Sequence, residues 1–158
     1  MIKINNYETL LMEADREGLI AKEKPLLAND GRILGNRIAI RADIPTQAEK
    51  ACVMAEELGH YYTSSGDIID QSIITNRKQE ARARLWAFNK LIGLHGLINA
   101  YNHRCRSLHE TAEYLNVTEQ FLREALEVYH RKYGVCTAVN NYIIYFEPNL
   151  IIAELNCI

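Results

Sequence analysis

The sequence predicts a single α+β domain, in which a small antiparallel sheet packs on a helix and a helical pair and a C-terminal β-hairpin follow. Three observations predict this class. Residues 25–43 combine turn signals with short alternating apolar positions, and long segments between residues 46 and 133 show the apolar spacing of helices. Residues 135–146 alternate around Asn140-Asn141, which is a favoured two-residue hairpin turn.

The N-terminal third contains one predicted helix and the first strands. Apolar residues recur at helical spacing over residues 7–18. Turn signals at residues 29–31 and 35–36 then separate short alternating segments. The apolar residues that fit these strands, with charged neighbours facing solvent, are Ile33, Leu34, Ile38 and Ile40.

The middle of the chain is predicted to be helical. Thr46 can cap a helix and Glu49 can close a capping box, so a helix starts here and should end before Gly66. Further helices are predicted over residues 76–92 and 94–101, with a pair over residues 108–133 that turns at 116–118. Residues 150–155 fit one more strand. We place the site-bearing core in residues 1–104 and expect residues 105–158 to pack on it.

Composition restricts the classes of function. The formal net charge of −2 argues against a general nucleic-acid-binding protein, and no apolar run approaches the roughly 18 residues of a membrane span. The four cysteines form no CxxC pair and no secretory apolar segment follows Met1. We therefore expect free thiols and a soluble, cytoplasmic protein with no membrane partner.

The residues with the clearest potential for chemistry lie at 55–62, Ala-Glu-Glu-Leu-Gly-His-Tyr-Tyr. Residues four apart on a helix lie one above the other, so Glu56 and His60 could reach one metal ion. Glu57 projects beside them, where it could polarise a water molecule instead of binding the metal. Two adjacent carboxylates in an apolar setting need a reason, although either could simply face solvent or pair with an arginine.

This segment resembles the active-site helix of the ImmA/IrrE family of bacterial metallopeptidases, which is usually written with HELGHY. Residues 35–41 are similar to the strand before that helix, and residues 76–83 to the helix that supplies a third ligand. Residues 108–134 resemble the helical extension of phage and mobile-element members. The resemblance covers roughly residues 7–148 and implies a zincin-like active-site helix.

The resemblance assigns roles to four residues. It implies that Glu57 is the general base and that His60 and Glu80 bind the metal. The first histidine of HExxH is replaced here by Glu56, which can still bind zinc through oxygen. Two anionic ligands make the metal a weaker Lewis acid and shift its preference towards Mn²⁺ or Fe²⁺.

The resemblance also implies a function. The chain would be a metal-dependent endopeptidase of a phage or mobile element, with a protein substrate that is typically a repressor of that element. The alternative is a catalytically decayed peptidase fold, marked by Glu56, that regulates a repressor by binding alone.

Several other residues admit a second interpretation. Asp67 could be a further metal ligand, although its neighbours favour a solvated turn. Tyr61 or Tyr62 could donate a hydrogen bond to an oxyanion, although core packing is commoner for such tyrosines.

Two other patterns could suggest a metal site. The Glu-x-x-His pattern of residues 57–60 recurs at residues 127–130, as in di-iron bundles, but the predicted strands disfavour that fold. The cluster His95, His103, Cys105 and His109 lacks the paired spacing of a structural zinc site.

Residues 108–122 have the pattern of a helix-turn-helix, with Asn116 in the turn. The second helix is rich in acidic residues, which would meet phosphates unfavourably. We therefore expect a packing or protein-docking unit and no direct DNA binding. A basic face formed by Arg104, Arg106, Arg131 and Lys132 would support the opposite interpretation, that of a DNA-associated regulator.

Overall fold

The computed structural model of the chain describes residues 4–64 and 73–156. It divides into two compact units, residues 1–90 and 91–158. The predicted α+β class is confirmed, because both units combine helices with a three-stranded sheet. In the described residues no helix combines the length and the apolar character needed to cross a bilayer.

The first unit is built from three helices and three strands. In chain order they are α1 (Asn6–Arg16), β1 (Ile20–Lys24), β2 (Gly31–Leu34), β3 (Arg37–Arg41), α2 (Gln47–Thr63) and α3 (Ile73–Leu91). The predicted start of α2 is confirmed, because the Thr46 hydroxyl accepts a hydrogen bond from the Glu49 N–H at 3.1 Å. The helix ends before Gly66, also as predicted.

The sheet of the first unit has the order β1-β3-β2 and is mixed. The predicted antiparallel pair is present as β2 and β3, joined at Gly35, which has a positive φ of 58°. Strand β1 was not predicted, and it lies parallel to β3. Its residues are almost all exposed and largely charged, so the segment carries no alternating apolar signal.

The core of the first unit lies where α1, α2 and the sheet pack together. Ile38 and Ile40 point to the same side of β3 and are buried, as their alternation predicts. The helices contribute side chains that are fully or almost fully buried: Leu10 and Ala14 from α1, Met54 and Leu58 from α2, and Ala87 and Phe88 from α3.

The second unit contains three helices followed by an antiparallel sheet of order β4-β5-β6. Its elements are α4 (Gly93–Asn102), α5 (Leu108–Leu115), α6 (Glu119–Tyr133), β4 (Cys136–Val139), β5 (Tyr142–Tyr145) and β6 (Ile151–Glu154). The predicted hairpin turns at Asn140, with a φ of 53°, and the helical pair turns at Asn116, with a φ of 55°. Tyr129 and Ile144 are fully buried in its core.

The division between the compact units follows Lys90 in the chain, whereas the sequence predicts that the core ends at residue 104. Helix α4 packs on α5 and therefore belongs with the C-terminal helices. The assignment of residues 1–104 as the metallopeptidase-like core stays a prediction. Cys52, Cys105 and Cys136 form no disulfide, as expected, and Cys157 lies outside the described residues.

Candidate metal centre

Three of the four candidate residues, Glu56, Glu57 and His60, lie on α2. Glu57 is the most buried of them and is 8% exposed, whereas Glu56 and His60 are only partly buried. Burial, together with the negative charges of Glu56 and Glu80, raises the pKa of the Glu57 carboxyl to about 7. The carboxyl is therefore held where a proton is easily gained or lost near neutral pH.

A backbone donor holds the Glu57 carboxylate in place. The Ile33 N–H donates a hydrogen bond to it, which acts against the rise in pKa because it favours the charged form. Strand β2 lies at one edge of its sheet, so the Glu57 side chain is held against the sheet edge. The prediction of strands near Ile33 did not reveal this contact.

Strand β2 can approach α2 this closely because residue 31 is glycine. A Cβ atom at Gly31 would lie 2.6 Å from Val53 Cγ1 and 2.8 Å from Glu57 Oε1, which is closer than real side chains come. The sequence indicated only a turn at this position. Gly31 instead begins a strand and leaves the space that the Glu57 side chain occupies.

Helix α3 brings Glu80 to His60. The two residues pair at 3.4 Å between His60 Nε2 and Glu80 Oε1. Gly59 permits the approach, because a Cβ at that position would overlap the carbonyl oxygen of Ala83. The helices thus cross with backbone against backbone beside the paired side chains.

Glu56 lies near a positive charge. Arg84 on α3 places its Nε 3.9 Å from Glu56 Oε1, and its guanidinium carbon lies 5.5 Å from the centre of the Phe88 ring. We did not predict a role for Arg84 from the sequence. The available signal was its position four residues after Glu80, which places both side chains on one face of α3.

The donor set fits a metal ion in part. A separation of 3.4 Å between His60 and Glu80 matches the roughly 3.4 Å between two donors in a tetrahedral zinc site with bonds of about 2.0–2.1 Å. The three carboxylates, of Glu56, Glu57 and Glu80, also place negative charge where a cation would be stabilised. Within the described part of the chain, however, no three His, Cys, Asp or Glu residues form a group that could hold a metal ion. His60 and Glu80 are close together, whereas Glu56 lies beside Arg84.

The neighbouring tyrosines do not pack in the core. Tyr61 is 36% exposed and Tyr62 is 39% exposed. Tyr62 stacks on Trp86 with ring centres 4.9 Å apart, and its hydroxyl donates to Glu13 Oε1 at 3.3 Å. Asp67, the other candidate ligand, lies outside the described residues.

Three histidines of the second unit that could suggest a metal site contact different partners. His103 packs on the Tyr114 ring, His109 pairs with Glu113 at 3.2 Å, and His130 pairs with Glu147 at 3.2 Å. These side chains are engaged with separate partners, and the residues described include no three-residue metal-binding group. Within the described part of the second unit, the histidine cluster is therefore not assembled into a metal-binding group.

Comparison with known proteins agrees with the resemblance drawn from residues 55–62. Residues 14–127 match the family model of peptidase M78, described as the IrrE N-terminal-like domain. No curated protein matches the chain, and no solved structure does. The family match spans all of the candidate centre and most of the chain.

Proposed function

Because the chain belongs to the peptidase M78 family, a family of metallopeptidases, we propose that it is a cytoplasmic, metal-dependent endopeptidase of a phage or mobile element. Its proposed substrate is a protein, the repressor of that element. The observation that carries the proposal is the buried Glu57 carboxylate, held by the Ile33 N–H beside the His60–Glu80 pair. A buried carboxylate next to an imidazole–carboxylate pair can serve as the general base of metal-assisted hydrolysis.

The proposed metal ligands are His60, Glu80 and Glu56, with zinc as the ion and manganese or iron as substitutes that tolerate more oxygen ligands. When bound, the metal would supply Lewis-acid polarisation of the scissile carbonyl. Glu57 accepts a proton from the attacking water as the water oxygen bonds to the carbonyl carbon. It then donates that proton to the nitrogen as the C–N bond breaks. The Ile33 N–H keeps the carboxylate oriented throughout.

Two variants test the roles of the ligands and of the base. In protein purified without a metal-chelating tag, elemental analysis should find about one zinc or manganese ion per chain. We expect His60→Ala to lose that metal, because it removes the only imidazole of the proposed set. Glu57→Gln should keep the metal and abolish cleavage of the repressor, because it cannot accept the proton. Cleavage by Glu57→Gln at the parental rate would contradict the role of Glu57.

The alternative is a decayed peptidase fold that regulates a repressor by binding only. The contact between Arg84 and Glu56 favours it, because a guanidinium then engages one of the three proposed metal ligands. The same variants separate the two functions. A binding-only protein would contain no metal, even after incubation with zinc and manganese, and Glu57→Gln would leave its effect on the repressor unchanged.

A further inference from the structure

We infer that Arg84 competes with the metal ion for Glu56 and thereby sets the metal affinity of the site. This inference rests on the proposed function, because it concerns the same ligands. Glu56 is held by the guanidinium when no metal is bound, and it becomes a ligand only when that contact opens. Arg84 is in this respect an internal competitor and not a ligand or a catalytic residue.

The contacts between α2 and α3 form two adjacent pairs. His60 meets Glu80 at 3.4 Å, and one helical turn along each helix Glu56 meets Arg84 at 3.9 Å. The first pair joins two proposed ligands, whereas the second joins a proposed ligand to a permanent cation. The arrangement therefore holds one ligand of the set in contact with a charge that the metal would have to displace.

The Glu56–Arg84 pair is suited to exchange. The side chains are 38% and 42% exposed, so water can replace either partner as the pair opens. The Arg84 guanidinium also lies over the Phe88 ring, which gives it a second favourable contact when Glu56 is released. Opening the pair is thus a low-cost step, and the metal can drive it.

The chain has Glu56 where the HExxH motif has its first histidine, and this replacement explains why Arg84 can compete with the metal. A carboxylate attracts a guanidinium, whereas a neutral imidazole bound to a metal does not. Two cations near one carboxylate also repel each other, so Arg84 lowers the affinity for a divalent ion even after Glu56 is released. Removal of the charge at residue 84 should therefore tighten metal binding, and the gain should depend on Glu56.

The test is a double-mutant cycle on zinc affinity, measured by competition with a chromophoric chelator on the full-length chain. The four proteins are the parent, Arg84→Gln, Glu56→Gln and the double variant. We expect Arg84→Gln to tighten zinc binding roughly threefold to tenfold, the range of a partly exposed ion pair with some added repulsion. In the Glu56→Gln background the same substitution should give a smaller gain.

Two further variants keep the result interpretable. Arg82→Gln removes the same charge from an exposed position on the same helix, so it controls for long-range electrostatics and should leave zinc affinity near the parental value. Arg84→Met keeps the apolar stem over Phe88, so it replaces Arg84→Gln if that variant fails to fold. Circular dichroism on each protein checks that the fold is retained.

The outcomes separate the two proposals. Unchanged or weaker zinc binding by Arg84→Gln, with the parent binding zinc, would overturn the role of Arg84 and leave the proposed function standing. Zinc binding by Arg84→Gln but not by the parent would support strong competition. No zinc binding by any of the four proteins would overturn the proposed function, and the inference about Arg84 with it.

Discussion

At the scale of single residues, Lys50 is the most buried cation that the described residues contain. It is 8% exposed on α2, and its ammonium lies 2.9 Å from Glu23 Oε1 on β1. The Tyr7 hydroxyl on α1 donates to the same oxygen at 3.3 Å. One carboxylate thus satisfies two buried polar groups and joins three elements, which is the arrangement that a buried charge requires.

The charge of Glu23 makes the stability of the fold depend on pH. The hydrogen bond from Lys50 holds the pKa of Glu23 below its ordinary value. Its contribution is therefore present above the unfolded pKa of about 4.3 and is lost as the pH falls through the lower folded pKa. We expect Glu23→Gln to lower the free energy of unfolding by roughly 0.5–1 kcal/mol at pH 7, because the Glu23 side chain is 41% exposed and screened.

Urea unfolding of the parent and of Glu23→Gln from pH 7 to pH 3 measures this effect. The difference between the two proteins should shrink at the acid end. Glu127→Gln removes an exposed carboxylate from α6 and should show almost no difference at any pH. A difference for Glu23→Gln that stays constant with pH would show that Glu23 acts through packing and not through its charge.

At the scale of elements, the crossing of α2 and α3 determines the geometry of the centre. A Cβ on Gly59 would lie 2.9 Å from the carbonyl carbon of Ala83, so the two backbones touch with no side chain between them. His60, which pairs with Glu80 on α3, is the next residue after Gly59 on α2. The separation of the helices is thus coupled to the separation of the two proposed ligands.

The substitution Gly59→Ala should destabilise the fold, although alanine is normally better than glycine in a helix. The added methyl group meets rigid backbone, so the helices must move apart, at a cost of about 1–3 kcal/mol. Zinc affinity should also fall, because the separation of the helices moves His60 and Glu80 apart. The matched control is Gly96→Ala on α4, where the new Cβ meets only the end of the Leu115 side chain at 3.3 Å.

Urea unfolding at neutral pH compares the two glycine variants. We expect Gly96→Ala to be near neutral or more stable by up to about 1 kcal/mol, because its flexible neighbour can move aside. Equal effects at the two positions would show that the close crossing does not constrain the fold.

The elements that the sequence predicted are those with local signals. The cap at Thr46, the apolar spacing of the helices and the turn at Asn140 each depend on residues that are near one another in the chain. Strand β1 was missed because it is stabilised by pairing with β3 and has no apolar pattern of its own. The sequence left open that Glu56 pairs with an arginine, but it did not identify Arg84, since that contact depends on how two helices cross.

At the scale of the whole molecule, charge distribution bears on partners. The chain has a formal net charge of −2, and the first half of α6, the second helix of the pair at residues 108–133, has Arg123 as its one cation. Arg123 is bound to Glu119 one turn earlier, and the Gln120 amide donates to Glu124 at 2.8 Å. Two groups at the start of α6 that could reach DNA, Arg123 and Gln120, are thus already engaged within the helix, whereas Arg131 and Lys132 lie exposed in its last turn.

We expect the protein to show no specific binding to operator DNA of its element. The reason is that the N-terminal part of α6, which a recognition helix would place against the bases, carries Glu119, Glu124 and Glu127 with Arg123 as its one cation. Fluorescence anisotropy with a labelled duplex at 50 and 200 mM salt measures this. Tight binding that weakens steeply between the two salt concentrations would contradict the prediction and favour a DNA-associated regulator.

The hydrogen bond from Ile33 to Glu57 makes a backbone amide a natural spectroscopic probe of the centre. The proton chemical shift of an amide depends strongly on the charge and distance of its acceptor. An isotope-labelled sample would therefore record, in the single resonance of Ile33, whether the carboxylate is charged and whether a cation has arrived beside it. The probe works in the unmodified chain and needs no knowledge of the substrate.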